Sequence, residues 1–172
     1  MIVFIINGHG GVGKDTFVEY FTEFAGKKYV LNISTVDYVK EVARSIGWDG
    51  SKDNLSRKFL SDLKDMMTYW ANKPFRDVTK KTTCFYDTLA AYGVENLGFV
   101  FIHCREPKEI QRLKNNTKYP TYTLLIRRAG HENLGNHADD EVENYNYDFV
   151  IENNGTLTDL KNKALAFYNK VK

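Results

Sequence analysis

Gly8-His9-Gly10-Gly11-Val12-Gly13-Lys14-Asp15-Thr16 is the stretch that decides the fold. It follows the apolar run Ile2-Val3-Phe4-Ile5-Ile6 and precedes Phe17-Val18-Glu19-Tyr20-Phe21, which opens a helix. Strand, glycine-rich loop and helix stand in the order that a phosphate-binding loop requires. Glycines let the backbone turn with its N–H groups inward and approach phosphate oxygens closely. The helix N-terminus behind them adds a positive dipole end, and Lys14 reaches the β- and γ-phosphates as a mobile charge. Gly8, Gly10, Gly11, Val12, Gly13, Lys14, Asp15 and Thr16 are therefore expected around a triphosphate. One position departs from the usual pattern: Asp15 stands where Ser or Thr on magnesium is normal, and Thr16 follows it.

Outward from this unit, strands and helices alternate. The first strand spans 2–7, and a helix over 14–25 is closed by Gly26. Tyr29-Val30-Leu31-Asn32-Ile33 is the second strand, and Ser34-Thr35-Val36-Asp37 opens a helix to about 46, with Ser34 or Thr35 as its cap. After the break Gly47-Trp48-Asp49-Gly50-Ser51, a helix over about 54–70 carries Leu55, Phe59, Leu63 and Met66 or Met67 at helical spacing. Pro74 opens another helix, which Gly93 ends. Phe99-Val100-Phe101-Ile102-His103 and Tyr122-Thr123-Leu124-Leu125-Ile126 are the third and fourth strands, with a helix over about 108–114 between them. Residues 129–138 form a polar loop and 139–145 a short helix. Tyr147-Asp148-Phe149-Val150-Ile151 is the fifth strand, and Asn153-Asn154-Gly155 turns the chain into a last helix over 157–171.

This alternation implies an α/β three-layer α/β/α sandwich on a five-stranded parallel sheet. The expected organisation is a single domain over 1–172, with a helical insertion at about 47–95 and a short lid at about 127–139. Ligands in such sheets sit at the carboxyl ends of the strands, and every candidate residue follows a predicted strand.

Composition bounds the rest. A chain of 172 residues has length for a buried core. A formal net charge of +2 is too small to argue for nucleic acid or membrane partners. Aromatics make up 14%, and composition leaves open whether they fill a core or stack on bases. Cys84 and Cys104 have neither metal-ligand nor redox spacing, so a reduced, cytoplasmic compartment is the default expectation. The first apolar run lacks a basic n-region and leads straight into the loop, unlike a signal peptide. No later stretch is long enough to span a bilayer.

Gly13-Lys14-Asp15-Thr16 resembles the loop of deoxynucleoside monophosphate kinases of the phage type and is similar to the Gly-Lys-Gly-Thr of adenylate kinases. Ile33-Ser34-Thr35-Val36-Asp37-Tyr38-Val39-Lys40 resembles the adenylate kinase segment Ile-Ser-Thr-Gly-Asp-Met-Leu-Arg, which holds the acceptor nucleotide. The resemblance makes Thr35, Asp37 and Lys40 acceptor-site candidates, with Lys40 a point charge where that family has a bidentate arginine. Arg105, in His103-Cys104-Arg105-Glu106-Pro107, looks like the arginine of Gly-Phe-Pro-Arg on the acceptor phosphate. The family's magnesium-linked Asp four residues earlier is Phe101 here. Asp15 or Glu106 is left to replace it, or the metal is held through waters and phosphates alone. Arg127 and Arg128 stand where kinases of this class bring lid arginines to the migrating group. The lid is shorter than that of long-lid adenylate kinases and has no cysteines for a zinc site. Asn154-Gly155 is similar to a turn whose backbone lies against the donor adenine, and Trp48, Arg57, Tyr69 and Trp70 lie in the region that covers the acceptor base.

The resemblance implies a P-loop kinase of the nucleoside monophosphate kinase type, a monomer or homodimer using ATP and Mg2+. Lys14, Arg127 and Arg128 would act on the transferring group. The acceptor would be a small phosphorylated molecule, with deoxynucleotides suggested by Gly-Lys-Asp-Thr. A kinase of phosphomevalonate or dephospho-coenzyme A type would use the same loop. A nucleotide-binding regulatory protein without an acceptor is the alternative from another class, favoured by Phe101 and Lys40. Plainer roles stand beside each candidate: an exposed lysine at 40, an Arg105–Glu106 ion pair, a solvated basic pair at 127 and 128, and a strand-end histidine at 103.

Overall fold

Ile2–Asn7 forms β1, and its unbroken apolar run follows from its place in the middle of the sheet. In the computed structural model, which describes residues 1–130 and 142–172, β1 lies between β3 (Phe99–His103) and β4 (Thr121–Arg127). Outside them lie β2 (Val30–Ser34) and β5 (Phe149–Glu152), and every pairing is parallel. The order β2-β3-β1-β4-β5 places the carboxyl end of β1 at the crevice where open α/β sheets hold ligands.

The described residues form six α-helices: α1 (Lys14–Ala25), α2 (Asp37–Ser45), α3 (Asn54–Ala71), α4 (Lys73–Ala90), α5 (Pro107–Asn116) and α6 (Leu157–Val171), of which α3 packs on α2 and α4. Alternation along β1 divides the core in two. Phe4 and Ile6 pack with Phe17 and Phe21 of α1 and Leu160 and Phe167 of α6. Val3 and Ile5 pack with Val78 of α4 and Ile110 and Leu113 of α5. The three-layer α/β/α sandwich is therefore the observed fold. Much of the aromatic content fills its first layer. Phe21 meets Phe101 at 4.9 Å and Phe4 meets Phe167 at 5.1 Å, both edge-on, an arrangement that adds about 0.5–1.5 kcal/mol per pair beyond burial. No helix among the described residues is long and apolar enough to cross a membrane.

Three local expectations are corrected. The helix after β2 begins at Asp37, and Val36 holds the N-cap position without a side-chain bond. Neither Ser34 nor Thr35 caps it; the Asp37 carboxylate accepts from the Ser34 N–H at 2.7 Å and fixes the turn instead. Secondly, α3 buries the stripe its spacing suggests only in part, with Phe59, Leu63 and Met67 half-buried. Leu55 and Met66 are 80% and 68% exposed, and Ser56 and Lys64 are its buried residues. Thirdly, β5 starts at Phe149 because Asp148 is used sideways. Its carboxylate accepts from the Thr123 N–H and hydroxyl, and its own N–H donates to that hydroxyl. Of the helix expected over 139–145, residues 142–144 form a single 3-10 turn. Residues 139–141, with Asp139 and Asp140, and most of the expected lid lie outside the described residues.

Gly8 has φ +141°, and a Cβ there would stand 2.2 Å from the Ile126 carbonyl oxygen at the end of β4. Gly8→Ala is expected to cost at least about 2 kcal/mol. Gly93→Ala, at φ +66° in open space, should cost only about 1 kcal/mol. Urea unfolding of both variants beside wild type measures the difference.

Candidate active site

The loop after β1 is braced before any ligand arrives. Gly13, at φ +93°, is the N-cap of α1 and makes no side-chain cap, so the first N–H groups of that helix have no side-chain acceptor there. Lys14 Nζ folds back over the loop and donates to the carbonyl oxygens of Gly8 and His9 at 2.6 and 2.7 Å. From the end of β5, Asn153 Nδ2 donates to Val12 O at 2.9 Å, and a Cβ on Gly13 would stand 2.6 Å from that nitrogen.

Asn7, fully buried at the end of β1, ties three segments together. Its Oδ1 accepts from Gly8 N at 2.8 Å. Its Nδ2 donates to the Arg105 carbonyl at 3.0 Å and to the Tyr147 hydroxyl at 2.7 Å. The Tyr147 hydroxyl donates onward to Val142 O at 2.8 Å, and burial raises its pKa well above the usual phenol range.

His103 ends β3 facing the start of α1. Its Nε2 lies 2.8 Å from Asn32 Oδ1 and 3.6 Å from Asp15 Oδ1. Burial pulls the imidazole pKa down to about 4 against the opposing pull of Asp15, with further influences from Lys14, Asp37 and Lys40. The ring is thus neutral at pH 7, with Nε2–H donating to Asn32.

The other candidates divide. Thr35 is 5% exposed, its N–H donates to His103 O at 3.1 Å and its hydroxyl lies 3.4 Å from that oxygen, so it serves the β2–β3 junction. Arg105 is half-buried beside the loop, with its carbonyl held by Asn7. Glu106, the alternative metal acid and ion-pair partner, is taken by Lys64 at 2.6 Å. Arg127 and Arg128 are both exposed at the end of β4, and Arg127 is paired with Glu143 and Glu152. Asn154 is exposed and accepts from Ala129 N at 2.8 Å, and Gly155 lies under Asp159; it is Asn153 that reaches the phosphate loop. Trp48 is half-buried with the Arg44 guanidinium 5.4 Å from its ring centre, while Tyr69 and Trp70 are 93% and 87% exposed. Asn7, Asn153 and Tyr147 were not among the sequence candidates. The available signal was a polar residue ending an apolar strand, visible for Asn7 directly before the loop.

Phe101 is fully buried against Phe4 and Phe21, so the strand-three position offers no metal ligand. Among the described residues no group of three His, Cys, Asp or Glu side chains comes together to hold a metal. Asp15, 82% exposed in the first turn of α1, is a single carboxylate beside the loop, and one carboxylate fits magnesium, which takes one or two and completes its shell with water and phosphate.

No family model matches the chain, and no curated protein sequence matches it. Among solved structures, the Mycobacterium tuberculosis APS kinase CysC Cys556Ala mutant is similar over 97% of this chain and 96% of that one, with a TM-score of 0.46 and 8% identity.

Because His103 has a folded pKa of about 4, below its ordinary 6.5, the unfolded chain binds the extra proton first as pH falls. Its contribution to stability is complete above pH 6.5 and is lost progressively toward pH 4. Urea unfolding in metal-free buffer between pH 7 and 5 should show a steeper loss for wild type than for His103→Gln. Parallel profiles would remove His103 from this account.

Proposed function

We propose that the chain transfers the γ-phosphoryl group of ATP to a small phosphorylated acceptor, a (deoxy)nucleoside monophosphate. The reading is carried by the braced glycine loop at the carboxyl end of β1: the Asn7 amide holds Gly8, Lys14 lies over the loop carbonyls, and Gly13 leaves the first N–H groups of α1 without a side-chain acceptor. His103 at the end of β3 lies beside that loop, 3.6 Å from Asp15. Phosphoryl transfer asks mainly for positioning and charge neutralisation. An acceptor phosphate is already an anionic nucleophile, so a neutral His103 is no obstacle.

In this reading the N–H groups of Gly8, Gly10, Gly11, Val12 and Gly13 and the ammonium of Lys14 hold the triphosphate, and Asn154 and Gly155 lie toward the donor base. Asp37, Lys40 and Arg105 position the acceptor; Thr35 supports them from within the β2–β3 junction. Arg127 or Arg128 neutralises the migrating group. Asp15 would hold magnesium, which supplies neutralisation of phosphate charge. A non-catalytic nucleotide-binding protein is the second reading, favoured by Phe101 in place of a metal-linked acid.

One assay separates these readings: ATP consumption with a panel of nucleoside and deoxynucleoside monophosphates and phosphorylated metabolites. Nucleotide-stimulated turnover is expected, and tight ATP binding without turnover would favour the second reading. Lys14→Met should abolish turnover while leaving circular dichroism unchanged; a folded, fully active variant would sink the role of the loop.

Lys40→Met and Arg105→Met should each raise the acceptor KM and leave the ATP KM near wild type. Loss of one charge-assisted contact is worth roughly 1.5–3 kcal/mol, or about 10- to 150-fold. Equal loss of affinity for both substrates would show that these residues do not belong to the acceptor pole.

A further inference from the structure

Lys64 is 7% exposed, and it is the buried lysine among the described residues. It projects from the middle of α3, inside the helical insertion. Its Nζ donates to Glu106 Oε1 at 2.6 Å and Glu109 Oε2 at 2.7 Å. Those carboxylates flank the start of α5, and Glu106 directly follows Arg105. The carboxylates outweigh desolvation and hold the lysine pKa above its usual value. A second link lies further along α5: Arg112 donates to Asn72 Oδ1 at 2.8 Å and its guanidinium lies 4.4 Å from the Phe75 ring centre. Asn72, at φ +53°, is the corner between α3 and α4. Thus α5 grips the insertion at mid-helix and at its corner.

A buried ion pair adds less stability than apolar residues of the same volume, but it demands one geometry. Phe59, Leu60, Leu63 and Met67 of α3 are only half-buried and Leu55, Met66, Tyr69 and Trp70 are exposed, so none of its apolar side chains is fully buried and Lys64 is the long side chain that is. We infer that Lys64 is a positioning residue of the acceptor site: it fixes the insertion against α5 and thereby sets the spacing between Lys40 on α2, which packs on α3, and Arg105 before α5. This rests on the kinase reading. Lys64 neutralises one of two neighbouring carboxylates, so its removal leaves them mutually repelling. A variant without any of the three charges removes the link and the repulsion together.

The test compares wild type, Lys64→Met, Lys64→Arg and the triple variant Lys64→Met/Glu106→Gln/Glu109→Gln. Readouts are acceptor and ATP KM, kcat, thermal unfolding and amide hydrogen exchange. Lys64→Met is expected to unfold at lower temperature. The triple variant should recover much of that stability yet keep an acceptor KM raised about tenfold, with ATP KM within about twofold of wild type. Lys64→Arg, which can reach both carboxylates, should restore the acceptor KM. If the triple variant recovers stability and acceptor KM together, Lys64 is only a counter-ion and the inference falls. Should Lys64→Met fail to fold, the triple and Lys64→Arg variants carry the comparison alone. If wild type turns over no acceptor, the kinase reading fails, and hydrogen exchange decides the role of Lys64. Faster exchange over 54–71 in the triple variant, with 99–103 unchanged, supports the positioning role; equal exchange overturns it.

Discussion

The side-chain amide of Asn7 is the constraint on which the site depends. Both of its N–H donors and its carbonyl oxygen are used, and it is fully buried. A buried polar group left without a partner costs roughly 1–3 kcal/mol. The phosphate loop, the turn carrying Arg105 and the Tyr147 segment are therefore held in one frame. Asn153 braces the far side of the loop, and the Ile126 carbonyl closes against Gly8 so tightly that only hydrogen fits. Backbone donors fixed in this way need no rearrangement when an anion arrives, which is what electrostatic preorganisation requires.

The cations around this frame are held with different strength. Arg127 is 44% exposed, and its pairs with Glu143 and Glu152 are surface ion pairs. Such pairs are worth about 0–1 kcal/mol, little against a phosphate ligand. Lys14 rests on the neutral carbonyls of Gly8 and His9, and in the proposed reading it would exchange them for charged phosphate oxygens, which make stronger hydrogen bonds. Lys64 is different in kind. Its ammonium is buried between carboxylates that are 42% and 20% exposed, and a buried charge left without its partner is costly, so this contact is architecture rather than a switch. Thus the described cations divide between a surface ion pair at Arg127 and a buried link at Lys64.

Much of the fold was legible in the sequence because its signals are local. The limits of β1, α1, β3 and α6 were readable from continuous apolar runs, from the glycines at 13 and 26, and from the turn before Leu157. Where a polar side chain took over a backbone role, the boundaries moved. Asp37 fixes the turn after β2, and Asp148 delays β5 by bonding Thr123. The apolar spacing of α3 was also read from a local signal, but that pattern reports a helix and not what covers it.

The sequence by itself determined that a strand, a phosphate loop and a helix stand together, since glycine spacing and Lys14 act within a few residues of one another. Tertiary structure decided which side chains complete the site. The partners of Asn7 lie 98 and 140 residues away, that of Asn153 lies 141 away, and those of Lys64 lie 42 and 45 away. Sheet order brings the partners of Asn7 and Asn153 within hydrogen-bond reach, and the approach of α3 to α5 does so for Lys64. For the same reason Thr35 turned inward to the His103 carbonyl: once β2 paired with β3, the nearest acceptor for its N–H was the neighbouring strand end.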